Sequence, residues 1–208
     1  MLTRPQFDRA CKLLIEEYAN CSSSLSTNAM QGWCWNEHPS FSGLGYMSRT
    51  SDYLGQASSD NLDPEDDCIE IDEATASISI VVSTSQQYVM FSATFQVPCF
   101  YFTMYHPNGA PLSIDELLST SLFRPCILED AETTSFALTR PNAAFPLLSQ
   151  GDHPTTGRPC WFLHPCETTA AVEELMKEIA NDGDSEDTRL LKWLKMWFTV
   201  LGSAVDLA

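Results

Sequence analysis

Apolar positions recur at helical spacing near both ends of this chain and at strand spacing through its middle. Phe7, Ala10, Cys11, Leu14, Ile15 and Tyr18 fall on one face of a 3.6-residue period, which predicts an N-terminal helix. Thr3 is placed to cap it, Pro5 suits its first turn, and Ser22-Ser23-Ser24 ends it. Trp33 and Trp35 alternate with Cys34, the pattern of a short strand, and Ser42, Gly43 and Gly45 then mark a turn. Three strand-like runs follow. Ile78, Ile80 and Val82 alternate with Ser77, Ser79 and Val81; residues 88–91 are apolar and β-prone; residues 95–105 are almost continuously apolar, with Val97, Phe100, Tyr101 and Phe102. The polar stretch 83–87 reads as a hairpin joining the first two runs, so an antiparallel meander is expected. Pro98 has no N–H to donate, which places it at an edge or a bulge. Asn108-Gly109, between Pro107 and Pro111, is a turn.

Ser113-Ile114-Asp115-Glu116 matches a capping box and starts a short helix through Leu117 and Leu118. Residues 123–157, with Pro125, Pro141, Pro146 and Pro154, read as irregular. Residues 161–163 form a short strand. Two helices close the chain. One runs over 168–180 with Val172, Leu175, Met176 and Ile179 on one face, and Asn181-Asp182-Gly183-Asp184 ends it. The other starts near Ser185 and carries Leu190, Leu191, Leu194, Trp197, Phe198 and Leu201 at helical spacing. The order of elements is that of an α+β domain, and the sequence contains no internal repeat.

The 208 residues suffice for one sizeable core, so a single domain over 1–208 is expected. The acidic positions Asp60, Asp63, Glu65, Asp66 and Asp67 repel one another, which predicts a mobile loop at about 51–67. Against 28 Asp and Glu stand 11 Lys and Arg, a net charge of -17. Phosphate binding needs clustered cations, so nucleic acid and anionic membranes are poor partners, whereas a basic protein partner is compatible. No run approaches the roughly 20 apolar residues of a membrane span, and residues 1–10 lack the apolar core of a secretory signal. A cytoplasmic protein is the expectation. The eight cysteines then read as free, mostly buried thiols in a reducing compartment. His153, Cys160, His164 and Cys166 have no familiar zinc spacing, and neither metal nor cofactor is expected.

The most distinctive segment is Arg158-Pro159-Cys160-Trp161-Phe162-Leu163-His164-Pro165-Cys166-Glu167-Thr168. It places Cys166 after an apolar extended run and before a polar helix start. Cys160 sits within the strand and reads as packing. Residues two apart in an extended segment point the same way, so His164 and Cys166 share a face, and Pro165 restricts the geometry between them. The dipole of the following helix favours a nearby thiolate, whereas the neighbouring carboxylate of Glu167 opposes one. That balance suits a thiol that receives an acyl group from another thioester better than a permanently ionised one. Most cysteines are inert core residues, so spacing alone leaves a packing role open for Cys166, and a structural one for His164.

Residues 161–168 also resemble the His-Pro-Cys active-site motif of the autophagy conjugating enzymes, and within that group the branch of autophagy-related protein ten. Further motifs carry the resemblance in order along the chain: Trp33 and Trp35, Asp66-Asp67-Cys68, Gln96-Val97-Pro98-Cys99-Phe100-Tyr101-Phe102, Gly109-Ala110-Pro111-Leu112, His153-Pro154, and Gly157-Arg158-Pro159. The resemblance implies an E2-like fold, a curved antiparallel sheet flanked by helices. It implies that Cys166 carries the ubiquitin-like autophagy protein twelve as a thioester and passes it to a lysine of autophagy protein five. It also implies that an autophagy-type E1 activating enzyme, protein seven, loads the cysteine. Relatives often have tyrosine just before the Gln-Val-Pro motif; here that position is Phe95, so no hydroxyl function carries over. Ordinary ubiquitin-conjugating enzymes have His-Pro-Asn ahead of the cysteine, with the asparagine assisting the oxyanion; here His153-Pro154 is followed by Thr155. His164 is the natural stand-in, as a donor to the oxyanion or as a residue that positions the lysine.

Such transfer requires no cofactor: one thioester is exchanged for another, then a lysine amine attacks to leave a more stable isopeptide. A cysteine hydrolase would use the same thiol, but no Gly-rich nucleophile turn surrounds Cys166. A scaffold variant of the fold, and the sister enzyme that lipidates autophagy protein eight, remain the other readings at this level.

Overall fold

A computed structural model describes residues 1–19, 30–38, 40–41, 43–56, 80–166, 168–179, 181 and 183–207. Ser22-Ser23-Ser24, Ser42, the acidic positions from Asp60 to Asp67, Cys68, Ser77 to Ser79 and Glu167 lie outside them. Among the described residues there are five helices: α1 (Arg4–Ala19), α2 (Ile114–Leu118), α3 (Pro125–Leu128), α4 (Thr168–Ile179) and α5 (Glu186–Leu201). The strands are β1 (Cys34–Asn36), β2 (Tyr46–Gln56), β3 (Ile80–Ser92), β4 (Val97–Tyr105), β5 (Glu132–Thr134), β6 (Ala137–Thr139), β7 (Leu148–Asp152) and β8 (Pro159–Leu163). They form one antiparallel sheet in the order β1-β2-β3-β4-β8-β7-β6-β5.

The helices follow their local signals. The Thr3 hydroxyl accepts from the Gln6 N–H at 3.4 Å, and the Gln6 side chain accepts from the Thr3 N–H at 2.9 Å, a reciprocal cap. Ser113 and Glu116 cap α2 in the same reciprocal way. Ser185 caps α5 by accepting from the Thr188 N–H. α1 buries Phe7, Ala10, Cys11 and Leu14, while α5 buries Leu190, Trp193, Leu194, Trp197, Phe198 and Leu201. Both helices join a core with Met47, Tyr53, Val89, Phe100 and Phe102 from one face of the sheet. α4 is anchored less deeply: Val172 is fully buried, and Met176 packs partly against the core.

Three expectations are corrected. The expected hairpin at 83–87 is the middle of one long strand, β3. Ser83, Ser85 and Gln87 are polar yet buried, and Gln87 is bonded to β2: it accepts from Arg49 Nε at 2.7 Å and donates to the Tyr53 hydroxyl at 2.6 Å. The chain reverses instead at 93–96, where Gln96 takes φ 54° and its N–H donates to the Ser92 carbonyl. Residues 51–56 of the mobile loop expected at 51–67 instead continue β2 in register with β3, and the rest of that stretch lies outside the described residues. The segment 123–157 is not irregular throughout: it holds α3 and the short strands β5, β6 and β7, pinned by the buried side chains of Leu138 and Leu148.

β4 is a central strand, and its nearly continuous apolar run fits burial on both faces. Pro98 is accommodated because β8 ends at Leu163. The register Tyr101↔Phe162 leaves Pro98 beyond that end, locally at an edge as its missing donor requires.

Candidate active site

β8 delivers the His-Pro-Cys segment to the surface. Trp161 and Leu163 are buried, which holds the strand in place. The Leu163 carbonyl accepts from the Cys99 thiol of β4 at 3.1 Å, and the His164 N–H donates to the Leu147 carbonyl at 2.9 Å. The backbone is thus tied on both sides up to His164, where β8 pairing ends. Pro165 then turns the chain: its carbonyl accepts from the Thr168 N–H at 3.2 Å, and α4 begins at Thr168. Cys166 lies in this turn and is exposed.

His164 Nδ1 accepts the Cys166 backbone N–H at 3.4 Å. That bond assigns the ring proton of a neutral imidazole to Nε2, leaving Nε2–H as a donor. The ring is flanked by Phe145, stacked at 5.2 Å, and by Phe95, edge-on at 5.2 Å. Burial lowers the His164 pKa from its ordinary value, which favours the neutral form. Phe95 serves as an apolar wall of the histidine. Phe145 carried no signal in the sequence, since it lies in an aperiodic Pro-flanked stretch.

Cys166 and His164 line a cleft of about 420 Å³, together with the 140–147 segment, Pro98 and Phe100 of β4, and the end of α5. Asn142 in that segment has φ 60°, a left-handed turn conformation that asparagine tolerates.

The remaining sequence candidates are structural. Cys160 is 2% exposed, and burial raises its thiol to about 12. His153 lies in the β7–β8 connection and is buried against Tyr46 of β2 and Tyr88 of β3. Its Nδ1 accepts the N–H groups of Thr155 and Thr156, each at 3.2 Å, and its ring packs edge-on to Tyr46 and Tyr88. Burial lowers its pKa as well. Thr155, the residue after His153-Pro154, has its hydroxyl against the Leu44 carbonyl at 3.5 Å rather than in the cleft. Among the described residues no cluster of His, Cys, Asp and Glu could hold a metal ion. The six described cysteines are free; Cys11, Cys99 and Cys160 are buried, while Cys34, Cys126 and Cys166 are exposed, more exposure than the sequence suggested. No described helix is long and apolar enough to cross a membrane.

The chain is 28% identical over 155 residues to the ubiquitin-like-conjugating enzyme ATG10 of Arabidopsis thaliana, covering 71% of this chain and 63% of that protein. It is 24% identical over 144 residues to the protein of the same name from Homo sapiens, covering 69% and 57%. It is 25% identical over 123 residues to that of Dictyostelium discoideum, covering 57% and 49%. The matched stretches therefore span roughly half to just under two thirds of these relatives' own lengths. The sheet and helices agree with the α+β, E2-like architecture that the sequence resemblance implied. The family model described as "Autophagocytosis associated protein, active-site domain" matches residues 6–208, nearly the whole chain, and the chain belongs to that family.

Proposed function

We propose that this protein is a conjugating enzyme of autophagy that carries a ubiquitin-like modifier as a thioester on Cys166. The modifier in this reading is autophagy protein twelve, loaded by the E1 activating enzyme, protein seven, and delivered to a lysine of autophagy protein five in the cytoplasm. The observation that carries the reading is the exposed thiol of Cys166 at the rim of a cleft, in the turn between a tied-down strand and a helix. Family membership and the printed names of the relatives support it.

In the loading step the Cys166 sulfur attacks the thioester carbonyl on the activating enzyme. The new S–C bond forms as the old one breaks, and the departing thiolate takes up the proton that Cys166 gives up. In the transfer step a deprotonated lysine amine attacks the Cys166 thioester, the C–N bond forms as the C–S bond breaks, and Cys166 leaves as a thiolate that takes up the proton shed by the attacking nitrogen. His164 is proposed to offer Nε2–H to the oxyanion that develops between these events, or to position the lysine. Its flanking phenylalanines hold the ring in place, which is the kind of preorganisation that lowers the barrier.

The test is a loading assay with activating enzyme, ATP and the modifier, with and without reductant. A reductant-sensitive adduct that disappears in Cys166→Ala, and that is discharged onto the acceptor protein, is expected. An uncharged Cys166 beside a charged activating enzyme would overturn the carrier reading. Full transfer activity in His164→Ala would remove His164 from the mechanism.

A further inference from the structure

Arg140 is the one described residue with a full charge that lines the cleft beside Cys166. It follows β6 directly, and its backbone is fixed. Leu138 of β6 is buried, Pro141 comes next, and the Arg140 carbonyl accepts the Ala143 N–H at 3.1 Å. The guanidinium is exposed and holds no carboxylate or other hydrogen-bond partner among the described residues. In this chain such a cation is out of the ordinary. Aspartate and glutamate outnumber lysine and arginine by 28 to 11, and most of the cations hold a carboxylate. Lys192 holds Asp184 and Lys195 holds Glu17, each at 2.6 Å, and Arg124 holds Asp206 at 3.4 Å. Arg140 stays unpaired amid abundant carboxylates, and it does so beside the reacting thiol.

We propose that Arg140 is a specificity-determining residue of the transfer step: it binds an aspartate or glutamate that neighbours the target lysine in the acceptor polypeptide. The proposal rests on the carrier reading above and adds the choice of lysine to it. The charge selects the chemistry. A guanidinium offers paired donors that match a carboxylate in a planar, bidentate contact. With a net charge of -17, the rest of the molecule repels an acidic segment, so a carboxylate entering the site is drawn to this one position. A basic residue beside the target lysine would meet Arg140 as a like charge instead. The reaction selects the acceptor as the occupant. During transfer the modifier is held on Cys166 by a covalent bond, whereas the acceptor is held only by non-covalent contacts. Aligning its amine with the thioester needs a second point of attachment near the lysine. Arg140 and Cys166 line the same cleft, and so provide that pair of points.

The test loads the full chain with the modifier by means of activating enzyme and magnesium-ATP, then stops loading with EDTA. The thioester is chased with free lysine or with single-lysine peptides of alanine and serine. Each peptide carries one glutamate, glutamine or arginine at one to four residues from the lysine. Loss of thioester and gain of isopeptide are followed by intact mass. At the best spacing the glutamate peptide is expected to react about two- to fivefold faster than the glutamine peptide, the range of an exposed ion pair. The arginine peptide is expected to be slower than both, and the differences to shrink as salt screens them. Arg140→Gln is expected to bring the glutamate-to-glutamine ratio to one, and Arg140→Glu to put the arginine peptide first. Each ratio is taken within one enzyme, so a general loss of activity in a variant cancels. Equal glutamate and glutamine rates at every spacing, or peptides that react no faster than free lysine, would overturn the proposal and leave the carrier reading standing. So would a glutamate preference that persists in Arg140→Glu, or slower loading of that variant with unchanged peptide ratios. An uncharged Cys166 beside a charged activating enzyme would overturn the carrier reading and this proposal with it.

Discussion

The ring of Phe145 lies flat on the ring of His164, with centroids 5.2 Å apart and planes only 3° apart. Phe145 comes from the 140–147 segment between β6 and β7, and His164 from the end of β8, so the stack closes one side of the cleft over the His-Pro-Cys turn. Phe95 meets the same imidazole edge-on from the β3–β4 turn. Two rings therefore shield a histidine whose Nδ1 is occupied and whose Nε2–H remains to act.

Removing one of those rings should be visible in the titration of the other partner. In Phe145→Ala the burial that depresses the His164 pKa is relieved, and the imidazole is expected to titrate closer to the ordinary value of about 6.5. An aromatic pair is worth about 0.5–1.5 kcal/mol, which corresponds to a roughly two- to tenfold slower discharge of the thioester to lysine. Imidazole NMR signals followed against pH check the first part; an unmoved titration would show that Phe145 does not shield His164.

The transfer step should weaken in acid for a reason specific to His164. Its pKa is lowered by burial, so the ring stays neutral above the ordinary histidine value and gains a proton as pH falls through the depressed one. That proton goes to Nδ1, which then no longer accepts the Cys166 N–H. The ratio of wild-type to His164→Gln discharge rates cancels the ionisation of the lysine itself. This ratio is expected to hold steady down through the ordinary value of about 6.5 and to fall once pH drops through the depressed His164 value. A ratio constant from pH 7.5 to 5 would rule out this use of the imidazole.

His153 should make the fold itself acid-sensitive. Its pKa in the folded protein is lowered by burial, so between that value and about 6.5 the unfolded chain binds more protons than the folded one. Stability is then intact above the ordinary histidine range and is lost as pH falls through the folded value. Protonation also turns Nδ1 from an acceptor into a donor facing the Thr155 and Thr156 N–H groups. Hydrogen exchange at those two amides is expected to speed up from pH 7.5 to 5.5, beyond the intrinsic pH effect; parallel behaviour with other loop amides would refute this.

Thiol reactivity should divide the described cysteines by position. Cys166, Cys34 and Cys126 are exposed, whereas Cys11 and Cys99 are buried and Cys160 is pushed up to about 12 by burial. Brief iodoacetamide treatment at pH 8 is expected to modify the first three and to reach the others only after denaturation. Native labelling of Cys99 would contradict its packing and its thiol bond to the Leu163 carbonyl.

Gln87→Leu keeps a buried side chain of similar size but removes an acceptor from Arg49 and a donor from Tyr53. The expected loss of stability is about 1–3 kcal/mol, read as a lower urea midpoint with an unchanged slope. An unchanged midpoint would mean that this network does not hold β3 to β2.

The sequence by itself determined those features whose cause is local. The apolar faces of α1 and α5, the caps at Thr3, Ser113 and Ser185, and the passage from β8 through Pro165 into α4 depend on periodicity and on bonds within a few residues. The place of Cys166 in the fold was legible for the same reason: a strand end, a proline and a helix start are adjacent in the chain. The tertiary structure alone decided where distant residues changed the meaning of a local pattern. Ser83, Ser85 and Gln87 look like a turn because they are polar, yet they form a strand because Arg49 and Tyr53 on β2 satisfy Gln87 inside the protein. β5 and β6 have three residues each, too few to show a period, and exist through pairing with their neighbours. The stack of Phe145 on His164 and the cleft beside Cys166 join segments from several parts of the chain, so their chemistry arises only when the sheet and α5 bring them together.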